Sequence, residues 1–165
     1  MADAFDLLGL EARFDLTPER VRAAYLARAG AVHPDAVPGG EDGAAAALNA
    51  AKTAVSDPET RANLLLARLG GASSDVSRAL PDGFLMKMME AREGMEEAAS
   101  RRDGAAIERW RGWAERERDG HIARVGALLE AARLGKPTGV GLSEVRQELN
   151  AWRYIERMLE QIGEL

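Results

Sequence analysis

The chain has 165 residues, 46% of them hydrophobic and only 5% aromatic, with 22 basic and 27 acidic side chains and a net charge of -5. One domain or two small ones fit that length. The alanine- and leucine-rich apolar fraction favours helix packing over a β-sandwich. The charges are spread, with 7 basic and 10 acidic groups over 1–70 and 15 and 17 over 71–165, so no basic patch marks a nucleic-acid partner. The absence of cysteine excludes disulfides, thiolate metal sites and cysteine catalysis. The chain shows neither a signal-peptide pattern nor an apolar run able to span a bilayer, so a cytoplasmic protein that avoids membranes is expected.

"DAFDLLGL" (3–10) reads as a short helix capped by Asp3, with Phe5 and Leu8 on its apolar face. "LTPERVRAAYLARAGAV" (16–32) opens with Thr17 as N-cap and Pro18 at the first helical position, where a missing N–H costs nothing. Val21, Tyr25 and Val32 form one helical stripe, which Arg28 interrupts. Pro34 biases His33 away from helical dihedrals and ends the helix. "AVPGGEDG" (36–43) is loop chemistry. Helices are expected over 44–56 and again from Asp57, a cap followed by Pro58 and Glu59, as far as Gly70-Gly71.

"ASSDVSRALPDG" (72–83) has linker composition. Three further helices are expected at about 84–100, 103–134 and 142–163. No β-type alternation or internal repeat is present, so the class is all-α: four short helices, a linker and a three-helix bundle. The seam of the second bundle helix is read as Ile107, Trp110, Ala114, His121, Val125, Leu128 and Ala132. That of the third is read as Leu142, Val145, Leu149, Trp152, Ile155, Leu159 and Ile162, with Tyr154 off it. Gly112, Gly120 and Gly126 each cost about 1 kcal/mol against alanine inside a helix, which points to close helix packing.

His33-Pro34-Asp35 admits three readings. It can be a plain helix stop in solvent, although Asp35 gains nothing beyond a negative helix end. It can be a rigid turn that presents an imidazole and a carboxylate to a basic partner at low entropic cost. A catalytic or metal role finds no support, since the only other histidine is His121 and no nucleophile motif accompanies either. An enzyme is therefore not expected.

The first bundle helix, "FLMKMMEAREGMEEA", places Phe84, Met88, Ala91, Met95 and Ala98 on one arc. Leu85, Met86 and Met89 lie beside or beyond that arc, among Glu90 and Glu93. A wide core stripe would explain Leu85. It does not explain Met86, which points away from the core arc. Outward methionine and leucine ringed by carboxylates suit an adaptable protein-binding surface.

Residues 3–70, with a helix ending in His33-Pro34-Asp35, a loop, a third helix and "LNAAKTAVSDPETRA", resemble the J domain of DnaJ-type co-chaperones. Adding "FLMKMMEAREGMEEA" and "WRYIERMLEQIGEL" extends the resemblance to nearly the whole chain and narrows it to the HscB family of iron–sulfur co-chaperones. The boundaries implied are a J domain at 1–71, a linker at 72–83 and a scaffold-binding domain at 84–165. The resemblance implies that His33, Pro34, Asp35 and Arg22 engage a DnaK-type (HscA-like) chaperone and stimulate its ATPase. It implies that Leu85, Met86, Met89, Glu90, Glu93 and Tyr154 hold an IscU-type cluster scaffold. No cofactor is implied, neither nucleotide nor metal. The chain departs from the J-domain pattern at Ala36, where lysine often follows the triplet, at Leu26 and Ala27, often basic, at Arg28, usually aliphatic, and at Lys52, frequently aromatic. Two alternatives stand beside this reading: a general DnaJ-like co-chaperone with a different client, or, as Ala36 and the thin basic face suggest, a J protein that does not stimulate ATPase.

Overall fold

Asp3 starts the first helix as its sequence requires. Its carboxylate accepts from the Phe5 and Asp6 backbone N–H groups at 2.9 and 3.1 Å, while Asp6 accepts from the Asp3 N–H. This reciprocal box satisfies donors that the helix leaves orphaned. A computed structural model of the protein describes residues 3–31, 41–135 and 139–164. Over these residues the chain forms seven α-helices and no strand: α1 Ala4–Leu8, α2 Pro18–Ala31, α3 Glu41–Ser56, α4 Pro58–Arg68, α5 Phe84–Ser100, α6 Gly104–Arg133 and α7 Gly139–Gly163. Two compact units result, 1–65 and 66–165, and the division falls within α4.

In the first unit α1, α2 and α3 pack on one another around Phe5, Leu8, Leu16, Val21, Leu48, Ala51 and Val55. Each large apolar side chain fully removed from water stabilises the unit by about 1.5–3 kcal/mol. Thr17 and Asp57 cap α2 and α4 as expected, accepting from the Arg20 and Thr60 N–H groups at 3.3 and 2.7 Å. Tyr25 contributes more than a stripe position. Its hydroxyl donates to Asn49 Oδ1 at 2.7 Å, and the Lys52 ammonium lies 4.6 Å from its ring centroid. Lys52, at a position the resemblance leads one to expect aromatic, thus joins α3 to α2 by cation–π attraction instead. Arg28 is exposed, and its guanidinium reaches Gly9, the left-handed residue (φ 66°) that closes α1. A cation at that negative helix end is favourable, which accounts for an arginine at a usually aliphatic place. Arg61 is the buried cation of this unit. Its Nη1 donates to the Val55 carbonyl at 2.8 Å, and its guanidinium lies over the Phe14 ring. Burial lowers its pKa, opposed by the Asp57 and Asp15 carboxylates.

In the second unit α6 packs along α7 and α5 packs on α6. The core joins Phe84, Met88, Ala91 and Met95 of α5 to Ala114 of α6 and Ala151, Ile155, Met158 and Ile162 of α7. The expected seams need two corrections. Leu129 and Met158 are buried, whereas Leu128 and Leu159 are half-exposed, because a helix of 3.6 residues per turn drifts across a fixed seam over a long stretch. The glycines also need one. Alanine carbons built at Gly112 and Gly120 would meet only the ends of Arg116 and Arg124, at 3.4 Å, so neither marks a close helix crossing. Gly94 does, since a Cβ there would lie 2.2 Å from Trp110 Cζ2.

The stretch with linker composition is part of the second unit. Buried Arg146 donates from Nε to the Ala72 carbonyl at 2.9 Å. One turn later Asn150 Nδ2 donates to the Ser77 and Ala79 carbonyls at 3.1 and 2.8 Å. Leu80 then packs on the core. Two polar side chains on one face of α7 therefore satisfy an irregular segment that has little apolar surface of its own. Asn150→Ala is expected to lower the stability of this unit by about 1–3 kcal/mol, since two carbonyls lose their donor. Hydrogen exchange should show faster amides over 73–80, with α6 unchanged.

Candidate functional site

At about 100° per residue, α5 turns two unlike faces outward and inward. Phe84, Met88, Ala91, Met95 and Ala98 are buried. On the opposite side Leu85, Met86 and Met89 are 56%, 69% and 72% exposed. Glu90 and Glu93 are exposed on the same side, and among the described residues neither is ion paired. Their neighbours are less available, for Glu96 pairs with Arg92 at 4.0 Å and Glu97 with Arg101 at 2.7 Å. The result is a small apolar surface edged by unpaired carboxylates. Unbranched methionine side chains adapt their shape to a partner, and carboxylates at the rim select a basic one.

Tyr154 stands on α7 beside this helix rather than on its exposed face. Its ring meets Phe84, the first residue of α5, edge to face at 5.5 Å. It also lines a groove with Arg92, Met95, Arg157, Met158 and Gln161. Phe84 in turn takes the His121 ring edge-on at 5.5 Å. His121 is a buried seam residue, as its position on α6 implied. Its Nδ1 contacts Glu148 Oε2, and Arg124 Nε donates to that oxygen at 2.8 Å. Sequence reading missed this charged cluster, because Glu148 and His121 lie on different helices and only the packing of α6 on α7 brings them together. Among the described residues no group of three or more His, Asp or Glu side chains is placed to hold a metal ion.

At the other candidate site, Arg22 and Leu26 lie one turn apart on α2, both exposed. Leu26 is 57% exposed, an apolar side chain at a position where the resemblance leads one to expect a basic one. His33, Pro34 and Asp35, and Ala36 after them, lie outside the described residues.

The described residues thus define an all-helical protein of two compact units, the second of which carries an exposed apolar helix face. No helix among the described residues is long and apolar enough to cross a membrane. The sequence profile of the HSCB C-terminal oligomerisation domain matches residues 80–163. The co-chaperone protein HscB homolog of Burkholderia mallei is 32% identical over 167 residues, covering 96% of this chain and 91% of its own length. The Burkholderia cenocepacia homolog is 30% identical over the same coverage. The chain belongs to the HscB family of co-chaperones. Chaperone HscB from Vibrio cholerae superposes with a TM-score of 0.72 at 20% identity, covering 98% of this chain and 96% of that one. Human co-chaperone HscB gives the same score and identity, covering 98% and 80%. The all-α expectation, a J domain followed by a three-helix bundle, is the fold these structures share with this chain.

Proposed function

We propose that this protein brings an IscU-type iron–sulfur scaffold to a DnaK-type, HscA-like chaperone in the cytoplasm and stimulates that chaperone's ATPase, assisting cluster transfer. The observation that carries the reading is the outward face of α5. Three large apolar side chains stand in solvent opposite a complete core face, on a chain of the HscB family. In this reading Leu85, Met86 and Met89 supply the apolar contact, Glu90 and Glu93 select basic groups on the scaffold, and Tyr154 extends the contact onto α7. The first unit serves the chaperone through Arg22 and the His33-Pro34-Asp35 triplet, with Leu26 adding an apolar contact on the same face of α2. Joining both sites in one chain turns the second encounter into an intramolecular one, which raises its effective concentration. The protein itself carries out no chemistry and needs no cofactor.

Two measurements test the two ends separately. In steady-state hydrolysis by an HscA-like chaperone, wild type should raise the rate and Asp35→Asn should not. Equal rates with both would leave a J protein that does not stimulate. Calorimetry of purified IscU-type scaffold against wild type tests the other end, and a silent titration would leave a co-chaperone with a different client.

A further inference from the structure

The segment 72–80 and α7 form a groove of about 440 Å³ whose lining includes Asp75, Arg78, Asn150, Arg153, Tyr154 and Arg157. Its walls are fixed rather than incidental. Asn150 holds the Ser77 and Ala79 carbonyls, and Arg146 holds that of Ala72, so the backbone that carries Arg78 is tied to the helix that carries Arg153 and Arg157. Its lining carries three guanidinium groups and one carboxylate, Asp75, in a protein whose net charge is -5. Among the described residues Arg78 and Arg157 form no ion pair. Guanidinium groups offer planar, paired donors that match carboxylates. The second unit thus carries charge of both signs: unpaired Glu90 and Glu93 on α5, and an arginine groove that includes Tyr154 on α7.

We infer that this groove docks an acidic peptide segment of the scaffold, its carboxylates on Arg78 and Arg157 and its backbone against Tyr154. The inference rests on the scaffold-binding reading and deepens it. Carboxylates on α5 and arginines on α7 select opposite charges on a partner that reaches both, so a reversed pose sets like charges together.

The probes are a hexaglutamate peptide followed by ¹H–¹⁵N NMR, and an IscU-type scaffold followed by calorimetry, each against wild type and Arg78→Gln/Arg157→Gln. Both substitutions are at exposed positions, so the fold is retained. The peptide should produce saturable shifts at Tyr154 and at the Asn150 side-chain amide, and about 300 mM NaCl should suppress them. The double variant should weaken both peptide and scaffold about tenfold. Peptide shifts that do not saturate, or that are equal in the variant, overturn the inference. So does a variant that loses the peptide but holds the scaffold as wild type does. A wild type that ignores the scaffold yet binds the peptide through these arginines sinks the client reading and supports the groove as an acidic-peptide site.

Discussion

Replacing Leu85, Met86 and Met89 together by alanine is expected to weaken capture of an IscU-type scaffold by at least about a hundredfold. The fold should not change. All three side chains are more than half exposed, and alanine is the better helix former, so thermal unfolding should stay within a few degrees of wild type. The adjacent residue supplies the contrast. Met88 is buried in the core of the second unit, and Met88→Ala is expected to cost about 2–5 kcal/mol of stability. Two neighbouring methionines thus separate binding from folding. Calorimetry reads the first loss, and denaturant unfolding reads the second. If the triple variant binds scaffold as wild type does, the outward face of α5 is an ordinary solvated surface and the client assignment fails. Double charge reversal at Glu90 and Glu93 should give a smaller loss, and one that fades as salt rises.

Most helix starts were legible because their signals are local, although α3 begins at Glu41, inside the stretch read as loop, and α7 at Gly139, ahead of the expected 142. Asp3, Thr17 with Pro18, and Asp57 with Pro58 are each read from two or three adjacent residues, and the structure uses each as a cap or first turn. The two faces of α5 were legible for a related reason, since one helical period assigns every side chain of a 17-residue element to core or solvent. What escaped are the features that need two elements at once. Linker composition over 72–83 is real, yet Arg146 and Asn150 incorporate its first half into the second unit from more than seventy positions away. The pairing of Lys52 with Tyr25 and of Arg28 with the end of α1 turns apparent departures from the family pattern into contacts. Buried His121 with Glu148 follows the same rule. The seam position of His121 is legible on α6 alone, and its partner Glu148 only from the facing helix.

Gly94→Ala is the second large effect, and its sign is decided by two opposing magnitudes. Alanine gains about 1 kcal/mol over glycine in a helix interior. Against that, the new methyl would stand 2.2 Å from Trp110 Cζ2 and 2.8 Å from Cε2, far inside contact distance. The indole is held on one side by Trp113, whose ring it meets edge to face at 5.5 Å. Forcing a methyl into such a contact costs about 1–3 kcal/mol, and at this separation the upper part of that range applies, so net destabilisation of about 1–2 kcal/mol is expected. All three tryptophans lie in the second unit, so the loss of their fluorescence on heating or in urea reads that unit alone. Gly112→Ala is the opposite case on α6. Its methyl meets only the mobile end of Arg116 at 3.4 Å, so the helix-propensity gain should survive as up to about 1 kcal/mol of added stability. Trp110→Leu in the Gly94→Ala background should recover part of the loss by removing the ring that clashes. If Gly94→Ala instead stabilises the unit as Gly112→Ala does, α5 and α6 do not approach through this glycine.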